Sequence, residues 1–149
     1  MIDVNVSNLV NILLIEDDPG DVELILETMN NSKVLVNINV VEDGEKALSY
    51  LRQEDPYRES PKPDLILLDL NMPRMDGRQL LRIIKKDEEI SRIPVIVLTT
   101  SDSDTDIVKS YDLGANCYIT KPMGLKEFST VINSIEHFWF SVVKLAPKL

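Results

Sequence analysis

The sequence predicts an α/β fold in which a five-stranded parallel sheet, doubly wound, is flanked by five helices. Three observations carry this. Runs such as residues 65–68 (LILL) and 93–98 (IPVIVL) are apolar throughout, as strands covered on both faces are. Segments with helical spacing alternate with these runs, and such alternation closes into a parallel sheet through right-handed crossovers. The runs give way to acids, hydroxyls or a lysine. The fold collects those residues at one edge of the sheet, the carboxyl edge where open α/β sheets bind ligands.

Residues 11–15 (NILLI) form the first strand, which ends in Glu16-Asp17-Asp18. Asp18 reads as an N-cap and Pro19 as the first helical position. The helix that follows, to about Met29, places Val22, Ile25, Leu26 and Met29 on one face. Val34, Val36, Ile38 and Val40 alternate with other residues, the pattern of a less buried strand. Asp43-Gly44 opens a second helix that buries Ala47, Leu48 and Leu51. Residues 54–63 (EDPYRESPKP) are polar, carry three prolines and read as a surface loop.

Residues 64–77, DLILLDLNMPRMDG, are the centre of the chain. The buried strand stops at Asp69, and Pro73 and Asp76-Gly77 are turn chemistry. Asp69 is therefore held by a rigid strand and presented by a loop. A third helix to about Lys86 has Leu80, Leu81, Ile83 and Ile84 as its apolar stripe. The fourth strand, 93–98, ends in Thr99-Thr100-Ser101. The fourth helix, 102–112, is expected to turn Ile107, Val108 and Tyr111 inward, with Gly114 as its stop. A short fifth strand, 117–119, leads into Thr120-Lys121-Pro122. The fifth helix is expected to bury Leu125, Phe128, Val131, Ile132 and Ile135.

The 149 residues fit one domain, with a core over about 10–136 and a C-terminal helical extension over 137–149. Net charge is −9 and the pI about 4.6, which argues against a nucleic-acid surface, since that needs a basic face. The single cysteine, Cys117, excludes a disulfide framework and reads as a small hydrophobe. His137, the one histidine, lies far along the chain from the acids and reads as a surface residue. There is no signal-peptide pattern and no apolar run of membrane-spanning length. A cytoplasmic protein is expected.

Glu16, Asp17, Asp69, Thr99 and Lys121 converge at the carboxyl edge. Three close carboxylates repel unless a cation intervenes, and an oxygen-only set suits Mg²⁺. A lysine and a threonine beside them are the groups needed to receive a phosphoryl oxygen. A carboxylate can itself be the nucleophile and form an aspartyl phosphate, and Asp69 has the position for it.

These features resemble the receiver domain of two-component response regulators. The resemblance is carried by IEDDP, LLDLNMPRMDG, VLTTS and YITKP, in that order on alternating strands and helices. It implies a flavodoxin-like receiver fold and a phosphoacceptor switch rather than an enzyme. Carried over by residue, Glu16 and Asp17 would hold Mg²⁺ with Asp69, and Asn71 would lend its backbone carbonyl. Asp69 would be the phosphoacceptor, Thr99 the switch hydroxyl, Lys121 the phosphate-binding lysine and Tyr118 the aromatic switch residue. Asn71 and Ser101 stand where family members tune dephosphorylation. The resemblance also implies a cis Lys121–Pro122 bond.

No effector domain follows, so the output is expected to be a protein contact. Residues 137–143 (HFWFSVV) are too apolar all round for one helical face to bury. They either form an interface or fold back on the core. The long loop and this aromatic extension resemble the stand-alone regulators paired with phytochrome-type histidine kinases. Those form homodimers through the fourth helix, fifth strand and fifth helix. Two rivals remain at this point. An aspartate-nucleophile phosphohydrolase would carry a second Asp where Asn71 stands, and a pseudo-receiver would lack an acid or the lysine.

Overall fold

The structure is a computed structural model that describes residues 9–31 and 35–147. Strands β1 (Val10–Ile15), β2 (Val36–Val41), β3 (Leu65–Leu68), β4 (Val95–Thr99) and β5 (Cys117–Thr120) form one sheet in the order β2-β1-β3-β4-β5. All four pairings are parallel. Helices α1 (Pro19–Asn30), α2 (Gly44–Leu51), α3 (Gly77–Lys86), α4 (Asp104–Asp112) and α5 (Leu125–Glu136) lie between and after them. The predicted five-stranded doubly wound sheet is the observed one. β3 and β4 are buried along their whole length, whereas the edge strands β2 and β5 are mostly half-buried. An edge strand has one neighbour and less cover, which is why only the central strands read as continuous apolar runs.

The pleat divides the central strands between two cores. Leu13, Ile15, Ile66, Leu68, Val95 and Val97 meet Ala47, Leu51, Leu80, Leu81 and Ile84 on one face. Ile12, Leu14, Leu65, Leu67, Ile96 and Leu98 meet Ile25, Met29, Phe128, Ile132 and Ile135 on the other. Full burial of each such aliphatic side chain contributes about 1.5–3 kcal/mol, so these layers fix which edge of the sheet each loop reaches. Three helix starts carry a side-chain cap, the one at Asp18 as expected. Asp18 accepts from the Gly20 and Asp21 N–H groups, Asp43 from the Lys46 N–H, and Ser103 from the Asp106 N–H. Gly114, at φ +106°, ends α4 in the left-handed region.

Several expectations are corrected. Val108 and Tyr111 of α4 face outward, and the residue that α4 buries is Ser110. The helix turns this way because Asp106, on the Ser110 side, engages an arginine of α3. Leu125 is 75% exposed; it starts α5 beyond the sheet's carboxyl edge, where no strand lies beneath it. The expected strand residue Val34 lies outside the described residues. The loop over 54–63 is more than a polar excursion. The Tyr50 and Tyr57 rings meet at 5.3 Å, and the Tyr50 hydroxyl donates to the Pro61 carbonyl at 2.9 Å. The cis proline bond among the described residues is Asp55–Pro56, so Lys121–Pro122 is trans. The trans chain already delivers the Lys121 amine to the acids. Cys117 is half-buried, and His137 is exposed as expected. Residues His137–Val142 continue α5 as a π-helical turn. Trp139 and Phe140 fold back on the second core while Phe138 and Val142 face outward. No helix among the described residues is long and apolar enough to cross a membrane.

Candidate functional site

Three strand ends place the acids and the lysine. Just past β1, the Glu16 N–H donates to the Val41 carbonyl at 3.0 Å. Just past β3, the Asp69 N–H donates to the Ile15 carbonyl at 3.0 Å. Just past β5, the Lys121 N–H donates to the Thr99 carbonyl at 2.7 Å. Each residue thus continues the sheet's hydrogen bonding by one rung, and its side chain emerges at a fixed position. Glu16, Asp69 and Lys121 are buried and Asp17 is exposed.

Glu16, Asp17 and Asp69 each offer a carboxylate oxygen, and these three oxygens lie within 4.8 Å of one another. The Lys121 ammonium closes the group. It donates to Glu16, to Asp21 at 2.7 Å, and stands 3.6 Å from Asp69 Oδ2. Burial, and then the nearby Asp69, push the Glu16 carboxyl up to about 8, although Lys121 pulls the other way. Burial opposes the Lys121 charge, but the hydrogen bonds to Asp21 and Glu16 outweigh it and hold the amine above its ordinary range. Four carboxylates, those of Glu16, Asp17, Asp21 and Asp69, gather around this one lysine. An all-oxygen donor set with unspent negative charge fits a hard divalent cation.

Thr99 ends β4 beside β3, and its hydroxyl is fully buried without a hydrogen-bond partner among the described residues. A buried hydroxyl is ordinarily satisfied, so this one is an unused donor at the end of the strand next to Asp69. The Asn71 N–H reaches back to Asp69 Oδ1 at 3.3 Å, folding the loop after β3 over the carboxylate. Gly77 keeps that loop tight. A Cβ there would stand 2.5 Å from the Asp69 carbonyl and 2.6 Å from the Leu70 Cα. Tyr118 is not drawn into the acidic cluster. Its hydroxyl donates to the Ser101 carbonyl at 2.8 Å, in the loop after Thr99.

The sequence reading overlooked Asp21, the second partner of Lys121. Its signal was present: it stands three residues after the N-cap Asp18, in the first turn of α1, directly beyond the acidic strand end. Arg78 and Asp106 were also overlooked, because their pairing joins two helices 28 residues apart.

Residues 12–133 match the response regulator receiver domain model. Response regulator Rcp1 of Synechocystis sp. is 43% identical over 134 residues, covering 90% of this chain and 91% of that protein. The crystal structure of the Mn²⁺-bound form of Rcp1 superposes with a TM-score of 0.89 at 42% identity, covering 92% of this chain and 99% of that one. That of the phosphorylated cyanobacterial phytochrome response regulator RcpA also gives 0.89, at 47% identity, covering 92% and 98%. With the fold, the acidic edge and these likenesses in agreement, the chain belongs to the response regulator receiver domain family.

Proposed function

We propose that this chain is a cytoplasmic receiver, one domain over 1–149, that accepts a phosphoryl group on Asp69 from the phosphohistidine of a sensor histidine kinase. It acts as a signalling switch whose own chemistry is limited to gaining and losing that group. The observation that carries the reading is the Asp69 carboxylate, set among Glu16, Asp17 and Lys121 with the Thr99 hydroxyl, unpartnered among the described residues, on the next strand.

In the transfer, an Asp69 oxygen attacks phosphorus and the P–N bond to the donor imidazole breaks. The imidazole nitrogen keeps the bonding pair and takes up a proton. Lys121 is close enough to Asp69 to follow the charge onto the phosphoryl oxygens. The Thr99 hydroxyl donates to one of those oxygens and so acquires a partner that it lacks among the described residues. Tyr118 shifts with the loop it holds through the Ser101 carbonyl. Glu16, Asp17 and Asp69, with the Asn71 backbone carbonyl, would hold Mg²⁺, which would supply positive charge against the incoming group.

The phytochrome name carried by RcpA supports a phytochrome-type partner kinase. The acidic net charge supports a protein partner over nucleic acid. The outward Val108, Tyr111, Met123 and Leu125, with Phe138 and Val142 of the extension, support a homodimer through α4, β5, α5 and the C-terminal segment.

Incubation with acetyl phosphate and Mg²⁺, read by intact mass, tests the site. The expected result is a phosphate adduct on the native chain and none on Asp69→Asn. Stoichiometric labelling of a folded Asp69→Asn variant would sink the assignment.

A further inference from the structure

The loop after Thr99 is held by a chain of hydrogen bonds that lies outside the acidic cluster. Arg78, the second residue of α3, grips Asp106 of α4 with both arms. Its Nε donates to Oδ1 at 2.9 Å and its Nη2 meets Oδ2 at 2.8 Å. The remaining Nη1 donates to Asp76 at 2.8 Å. Asp106 also accepts the Ser101 hydroxyl at 2.6 Å, and the Ser101 carbonyl accepts from Tyr118. Ser101 is thus fixed through both its side chain and its backbone, two residues beyond Thr99.

The two ends of this chain differ in rigidity. α3 is anchored by Leu80, Leu81 and Ile84, and its first residue, Gly77, is pressed against Asp69 and Leu70. α4 buries one residue, Ser110, whose hydroxyl has no partner among the described residues. A helix with so little apolar anchorage takes its position from its polar contacts. Of the five helices α1–α5 it buries the fewest residues and so has little to lose by moving. A bidentate, charge-assisted fork is a strong contact of fixed geometry.

We propose that Arg78 and Asp106 are positioning residues which, acting through Ser101, latch α4 and the loop before it in the resting arrangement and so set how readily the chain reaches its phosphorylated conformer. This rests on Asp69 being the phosphoacceptor. Bringing the Thr99 hydroxyl to a phosphoryl group pulls on Thr100 and Ser101. Ser101 then has to leave Asp106 or carry Asp106 away from Arg78. Either movement re-aims the outward α4 residues Val108 and Tyr111.

The test is by amide NMR of the full chain, first unphosphorylated and then with acetyl phosphate and Mg²⁺. The two spectra define, for each amide over 100–115, a line between resting and phosphorylated positions. Unphosphorylated Asp106→Asn and Arg78→Lys are expected to move these amides along that line, corresponding to a roughly three- to tenfold larger population of the shifted conformer. Ser101→Ala is expected to do the same, and Ser101→Ala with Asp106→Asn to add little beyond either alone. A merely structural loss would scatter the shifts off the line. Folded variants whose amides stay at their resting positions, move off the line, or show additive effects would overturn the latch. If the native chain takes no phosphate, the line is undefined and the latch falls together with the Asp69 assignment. If the native chain is phosphorylated and the variants do not follow the line, the latch alone fails.

Discussion

The Thr99 hydroxyl is buried and lacks a partner among the described residues, which makes the resting state pay for readiness. A buried unsatisfied hydroxyl costs about 1–3 kcal/mol. Thr99→Val keeps the shape, so it is expected to raise the melting temperature of the unphosphorylated protein by about 3 °C. It is also expected to leave Asp69 labelling in place and weaken the structural response to it. Calorimetry decides the first part, and a lowered melting temperature would show that the hydroxyl is satisfied at rest. At this scale the sequence was readable wherever a residue sits at a strand end. Glu16, Asp17, Asp69, Thr99 and Lys121 could all be placed by counting from apolar runs. Asp21, Arg78 and Asp106 could not, because what singles them out is a partner on another element.

Among the elements, α3 is positioned by the absence of a side chain. Its Gly77 leaves no room for a Cβ, and the atoms in the way are backbone of Asp69 and Leu70, which cannot rotate aside. Gly77→Ala is therefore expected to destabilise the fold by about 3 kcal/mol, as overpacking against a fixed wall does. It should also slow phosphorylation, since the loop carrying Asp69 has to move. Gly20→Ala is the control: its Cβ would meet only the Asp18 side chain, at 3.3 Å. Chemical denaturation of the two variants, with the same midpoint shift in both, would refute the argument. The strands were legible because burial on both faces leaves an unbroken apolar run. α4 was misjudged for a physical reason. Its apolar residues Ile107, Val108 and Tyr111 satisfy a helical stripe, yet the orientation follows from the Arg78–Asp106 fork, a contact that periodicity does not record.

For the molecule as a whole, outward apolar residues stand on α4, at the start of α5 and on the extension, apart from Leu35 and Val40 at the opposite, β2 edge of the sheet. Met123 is fully exposed, and Leu125, Val108 and Phe138 largely so. Such side chains are costly to leave in water when they adjoin. The native chain is expected to sediment as a dimer, and Met123→Glu combined with Leu125→Glu to weaken self-association at least tenfold without a fall in melting temperature. A monomeric native chain at high concentration would refute that use of the face. The fold-back of residues 137–143 was posed correctly by the sequence as an excess of apolar groups. Its division between core and surface depends on a π-helical turn that composition does not reveal. That turn has an optical consequence. Trp139 is the one tryptophan of the chain and rests on the second core just past the end of α5. At 1.5 Å per residue, α5 carries it about 18 Å from the start of that helix at the sheet's carboxyl edge. Its fluorescence is therefore out of direct reach of a charge arriving on Asp69. Any change in its emission on phosphorylation would report movement of the extension, giving the protein a label-free readout of whether the signal has travelled the length of the fold.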